Sequence, residues 1–253
     1  MAKERRVIKG IVLRSIDTKE ADKILTVLTG EMGKITVVAK GARSRRSRVT
    51  AAAQLLSYSE MTLTESHGWQ ILAEASTVAL FDGIREDVVL LSLASYFAEL
   101  TGAVTWENIP AEDFLSHLLN ALYALSALHR PQLLVKAAFE LRLMALAGFE
   151  PLLEGCSVCG AAEPERAMLN LTEGTLRCAG CRQGERLSVP LTPGALAAMR
   201  YVLYGDPKRL YSFSLPSEDL RSMAEAAEAY VAAQLERSFH TLGFYKSIAD
   251  PSE

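Results

Sequence analysis

Apolar positions recur at two different periods along this chain, and the change of period falls near residue 80. In the first part they follow a strand-like pattern. Residues 7–14 hold Val7, Ile8, Ile11, Val12 and Leu13, and residues 23–29 alternate Ile24, Thr26 and Leu28 against Leu25 and Val27. The turn residues GEMG (30–33) separate that segment from a β-branched one at 34–39. Segments 55–65 and 69–79 form a further pair around the turn residues Ser66, His67 and Gly68. Five short strands in about 80 residues suit a small closed barrel, and the OB-fold is the commonest five-stranded solution that binds nucleic acid.

Beyond Phe81 the spacing is helical. Val88, Leu91, Ala94, Ser95 and Ala98 share one side of a helix expected over 84–101, with Gly102 at its stop. Pro110 opens a second helix with Glu112 and Asp113 in its first turn, where the helix dipole favours acids. Pro131 opens a third, which Gly148 closes. Thr192 and Pro193 read as an N-cap and first helical residue of a helix reaching Tyr204, and Ser217 as the cap of a last long helix. The stripes on these helices read as core. The expected class is α+β. It comprises an OB-fold barrel at 1–80, an all-helical domain at 81–152 and 188–253, and a metal-binding insertion at 153–187.

Composition changes this picture little. The chain has 253 residues, 49% hydrophobic and 23% charged, which suits globular domains rather than disorder. No apolar run approaches the roughly 20 residues that span a bilayer. The basic N-terminus leads into no apolar signal core, so a cytoplasmic chain is expected. Charge changes it more. Residues 1–80 hold 13 Lys/Arg against 8 acids, a net +5, while 81–253 hold 14 against 22, a net −8. A basic head on an acidic body predicts that the head meets a polyanion.

All four cysteines fall in one window. Cys156, Cys159, Cys178 and Cys181 make two C-x2-C knuckles separated by 18 residues, within the range of zinc sites. Two residues between cysteines let a tight turn aim both thiolates at one tetrahedral ion, and Gly160 supplies a backbone free to turn. Paired disulfides suit a reducing cytosol badly, and a redox pair would need a βαβ context that neither knuckle has. One structural Zn2+ is expected, since four thiolates leave no open coordination position. The polar stretch 163–174 suggests that metal replaces a core which the insertion lacks.

The segment KGARSRRSR (40–48) carries Lys40, Arg43, Arg45, Arg46 and Arg48, and reads as a loop too flexible and too charged to be core. Guanidinium forks match phosphate oxygens, and Lys3, Arg5, Arg6, Lys9 and Arg14 extend the same basic track. Tyr58, His67 and Trp69 are the stacking candidates, Trp69 equally a core residue. The histidines at 67, 117, 129 and 240 are scattered without ligand spacing. No phosphate-binding loop, nucleophile elbow or carboxylate cluster appears, so neither enzyme activity nor a nucleotide cofactor is expected. An OB-fold RNA-binding accessory protein and a protein–protein adaptor remain as alternatives, because composition does not separate one polyanion from another.

Three segments carry a family likeness. GIVLRSIDTKEADKILTVLTGEMGKITVVAKGARSRRSR (10–48), FELRLMALAGFEPLLEGCSVCG (139–160) and LSVPLTPGALAAMRYVL (187–203) resemble, in order, the barrel, pre-knuckle helix and post-zinc helix of the bacterial RecO family of DNA-repair proteins. The resemblance implies an N-terminal OB-fold, a helical body and a zinc ribbon whose ligands are the four cysteines. It implies binding of single- and double-stranded DNA, annealing of complementary strands and help in loading RecA. The implied partners are RecR and the acidic C-terminal tail of single-strand-binding protein (SSB). Lys40, Gly41, Arg43, Ser47 and Arg48 match the family's basic loop, and Lys136 and Arg142 are candidate carboxylate partners for the tail. The C-terminal LGFYKSIAD (242–250) departs from the family's basic ending and keeps only Lys246 and Ser247.

Overall fold

The structure is a computed structural model that describes residues 5–44, 46–164, 166–181 and 187–249. Its strands are β1 (Arg5–Thr18), β2 (Asp22–Thr29), β3 (Gly33–Ala39), β4 (Tyr58–Ser66), β5 (Trp69–Ala79), β6 (Ala167–Asn170), β7 (Thr175–Cys178) and β8 (Ser188–Pro190). Its helices are α1 (Asp82–Arg85), α2 (Val88–Val104), α3 (Glu112–Ser126), α4 (Gln132–Leu146), α5 (Pro193–Tyr204), α6 (Ser217–Leu235) and α7 (His240–Ile248). The chain divides into two compact units, residues 1–127 with 239–253 and residues 128–238.

In the first unit five strands close a barrel in the order β1-β2-β3-β5-β4. Every neighbouring pair is antiparallel except β3 with β5, which run parallel at Val37↔Gln70 and Val38↔Ile71. This is the OB-fold arrangement. The alternation read from the sequence sets the faces: Leu25, Val27, Ile35 and Val37 are buried inside, whereas Ile24, Thr26, Thr36 and Val38 stand on the outside. Gly10 lets β1 and β2 approach closely, since a Cβ there would lie 2.6 Å from Val27 Cγ1 and 2.9 Å from the Leu28 carbonyl.

The connection from β3 to β4 differs from expectation. Among its described residues, Ala42, Val49 and Ala53 join the barrel core. β4 starts at Tyr58 rather than residue 55, because Leu56 bends into the left-handed region (φ +61) and donates its N–H to the Val12 carbonyl at 2.8 Å. Asp87 N-caps α2, its Oδ1 accepting from the N–H groups of Val89 and Leu90. α2 runs through Gly102 to Val104 instead of stopping there. α7 had no strong period of its own to announce it. It is fixed by distant residues: Glu99 accepts from the backbone and hydroxyl of Thr241, and Tyr96 meets Phe239 edge-on at 5.6 Å.

In the second unit α4 packs against α5 and α6. α4 ends where Gly148 turns left-handed (φ +87) and Phe149 N–H bonds back to the Met144 carbonyl at 2.8 Å. Thr192 caps α5 as expected, accepting from Ala195 N–H at 3.1 Å. Ser217 is the first residue of α6 rather than its cap, because Pro216 holds the cap position. Between α4 and α5 lies a three-stranded sheet of order β7-β6-β8. Leu153, Leu169 and Leu176 are fully buried there. Gln234 of α6 donates to the carbonyls of Leu171 and Thr172 in the β6–β7 turn. Among the described residues no helix is long and apolar enough to cross a membrane.

Candidate functional site

The first knuckle leaves the segment after α4 and lies on β7. Leu152 N–H donates to the Gly174 carbonyl at 2.7 Å, and Ser157 N–H to the Leu176 carbonyl at 2.8 Å. The knuckle closes on itself through Cys156 N–H to the Ala161 carbonyl and Gly160 N–H to the Cys156 carbonyl at 2.9 Å. Gly160 takes φ +74, the conformation its sequence position suggested. The second knuckle starts with Cys178, the last residue of β7, and turns through a 3-10 segment, Ala179–Cys181. A bond from Cys178 N–H to Cys156 Sγ at 3.3 Å ties the two knuckles.

All four Sγ atoms lie within 4.8 Å of one another, and those of Cys159 and Cys178 are 3.7 Å apart. Sulfurs about 2.3 Å from a tetrahedral ion stand about 3.8 Å from each other, so the donor set and its spacing fit a tetrathiolate metal site. Electrostatics point the same way. Burial opposes charge on Cys156, yet the N–H groups of Cys159, Cys178 and Val158 aim at its sulfur and bring its thiol down to about 6. Burial, then hydrogen bonds to Cys159 and Cys156 and their negative charge, push Cys178 up to about 12. Cys181 is raised as well, chiefly by its hydrogen bond to Cys159. Cys156 is thus favoured as thiolate while Cys178 and Cys181 are held protonated, and a bound dication would supply the charge to ionise those two.

The basic candidates separate into engaged and open side chains. Arg43 is engaged: its Nε lies 3.2 Å from Asp17 Oδ2, and its Nη1 reaches the carbonyls of Lys19 and Glu20. Arg5 sits 3.6 Å from Glu74, both exposed, and Arg6 donates to Met32 Sδ. Lys9 faces Glu60 across the β1–β4 ladder and Arg14 faces Thr26 across β1–β2. Lys40, Arg46 and Arg48 are exposed. Among the described residues, no acid pairs at salt-bridge distance with Lys9, Arg14, Lys40, Arg46 or Arg48. Lys3 and Arg45 lie outside the described residues.

Two residues that sequence reasoning passed over hold the loop in place. Asp22 Oδ1 accepts from Gly41 N–H at 2.8 Å, while Asp17 holds Arg43. Both acids flank the β1–β2 turn, a common site for Asp, but nothing local says that they reach a loop 20 residues on. Of the stacking candidates, Trp69 is exposed rather than core. His67 is exposed beside it, and Tyr58 is half-buried at the opposite end of β4. β4 is nine residues long, about 25 Å from end to end, so these aromatics form no single platform. From the β3–β5 register, Trp69 lies about 13 Å along the strand direction from Lys40.

Lys136 is not available to a ligand. It is 2% exposed, with its Nζ 2.9 Å from both Glu140 and Glu228. Burial lowers its tendency to stay charged, but the two carboxylates outweigh that and raise its pKa. Arg142 is half-buried and donates to the Leu203 carbonyl at the end of α5.

A closed OB barrel with a cationic loop, joined in sequence to a helical region that contains four clustered cysteines able to hold a metal ion, defines the class of protein by fold and site. Comparison with known proteins narrows the class. A family model described as Recombination protein O N terminal matches residues 3–81, and one described as Recombination protein O C terminal matches 85–243. The chain is similar to proteins named DNA repair protein RecO. That of Acetivibrio thermocellus is 30% identical over 239 residues, 94% of this chain and 95% of that protein. That of Symbiobacterium thermophilum is 32% identical over 244 residues, 95% and 96%, and that of Anaeromyxobacter dehalogenans 32% over 248 residues, 97% of each. The chain belongs to the RecO family.

Proposed function

We propose that this chain is a DNA-repair factor that binds single- and double-stranded DNA through its barrel and acts without covalent catalysis. Residues 1–80 carry the DNA contacts. Residues 153–187 hold one structural Zn2+ on Cys156, Cys159, Cys178 and Cys181, and residues 81–152 with 188–253 support both. The observation that carries this reading is the β3–β4 connection. Its small apolar residues are sunk in the barrel core while Lys40, Arg46 and Arg48 stay open to solvent. Such a loop presents cations at fixed positions, which loses less freedom on binding than a floppy basic tail.

Cations on a rigid barrel screen the repulsion between two phosphate backbones, so annealing of complementary strands follows from the same charges. With RecR and the acidic SSB tail as partners, the same contacts serve the loading of RecA onto SSB-coated strands in the cytoplasm. The test is a salt titration of binding to a single-stranded oligonucleotide. With about four phosphates neutralised the log–log slope is about −3. Replacing Arg43, Arg45, Arg46 and Arg48 together by Ala flattens it and abolishes annealing of SSB-coated strands. An unchanged slope sinks the reading, and an equal-length RNA that outcompetes the DNA transfers it to RNA.

A further inference from the structure

The bonds within the first knuckle shape its turn but do not fix the turn to the helices. Two side chains of α5 do so, and Arg200 makes most of the bonds. Arg200 donates from Nε to the Leu153 carbonyl at 2.8 Å and from Nη2 to the Ala162 carbonyl at 2.6 Å and the Glu154 carbonyl at 3.3 Å. Its Nη1 donates to Glu163 Oε1 at 2.6 Å. The chain entering the knuckle (153, 154) and the chain leaving it (162, 163) therefore meet on a single guanidinium. One turn along the same face of α5, the Tyr204 hydroxyl accepts from Leu153 N–H at 3.3 Å and reaches the Pro151 carbonyl at 3.4 Å.

We infer that Arg200 is a positioning residue for the metal centre: it pins both ends of the loop that presents Cys156 and Cys159. The inference rests on the reading that the four cysteines hold a structural zinc ion. Arg200 touches no sulfur. It acts by removing freedom that the loop would otherwise lose when the ion binds. The planar fork matters, because three carbonyls and a carboxylate in different directions suit five fixed donors better than one ammonium. The carbonyls do most of the holding. Glu163 is 81% exposed, and an ion pair in that position contributes little.

The test uses the full-length protein, with zinc affinity read by competition against a chromophoric chelator and site geometry by the absorption of the cobalt-substituted form. Removing groups that orient metal ligands typically weakens binding about 10–100-fold, and Arg200→Ala is expected in that range. Its cobalt spectrum stays tetrahedral, and the melting temperature of the metal-free protein stays that of wild type. Arg200→Lys recovers only part of the affinity, and Glu163→Gln binds zinc as wild type does. Wild-type zinc affinity in Arg200→Ala overturns the inference, as does an equal loss of melting temperature with and without metal. Should Arg200→Ala not fold, Arg200→Lys decides: weakened binding supports the inference and undiminished binding overturns it. Wild-type protein that fails to bind zinc removes the metal reading itself and this inference with it, a result distinct from a failure confined to the variants.

Discussion

Two long connections in this chain solve the same problem by different means. The β3–β4 connection and the cysteine excursion both run for many residues with little regular structure, and both hold chemically useful side chains in place. The first is anchored by apolar atoms: Ala42, Val49 and Ala53 plug the barrel, and Asp17 and Asp22 tie its start to the β1–β2 turn. The second has its own leucines, yet its knuckles converge on four sulfurs, and crowding raises the thiols of Cys178 and Cys181. The contrast teaches that a loop carrying cations can be made rigid by burying its smallest neighbours, whereas thiolates crowded together need a cation to hold them.

Metal removal is the strongest way to break this comparison. Structural zinc sites contribute on the order of 10 kcal/mol to their own domains, so chelation at neutral pH should expose residues 153–181 to amide exchange while the β3–β4 connection keeps its protection. Equal loss of protection in both regions would show that the two are not independently held. A smaller effect comes from Ala53→Asp, which puts a carboxylate into the apolar cluster of the barrel and should cost about 3 kcal/mol. Its denaturant midpoint should fall along with DNA affinity, whereas zinc affinity should not move; a variant with normal stability would mean that the plug is not an anchor. The finest probe is Asp17→Asn. It releases Arg43 from its own acid, so the salt dependence of single-strand binding should steepen by about 0.7. A shallower slope would mean that Asp17 orients Arg43 toward the phosphate instead of competing for it.

The barrel was legible because alternation between β-branched and polar residues has one physical meaning on a half-buried sheet, and β2, β3 and β5 fall close to where it places them. The cysteines were legible from spacing alone. What could not be read depends on partners far away in sequence. Ala42 and Val49 sit among arginines and serines and Ala53 ends a run of alanines, and residues that small give no amphipathic signal until a cavity exists for them. α7 is nine residues long and owes its first turn to Glu99. Lys136 looks like an ordinary helical lysine, and only the fold brings Glu228 to it from α6. Arg200 is one arginine among many in the sequence, and its importance appears only when the two ends of the knuckle arrive beside it.

The ring of strands is sealed along its shortest junction. β3 and β5 share only Val37↔Gln70 and Val38↔Ile71, while each other ladder runs nearly the length of its shorter strand. A cylinder under strain opens where it is least stitched. A cut there would uncover two raw sheet margins, able to pair with a margin from another molecule. The short junction at Val38 and Ile71 therefore closes two margins that would otherwise be free to pair with another chain.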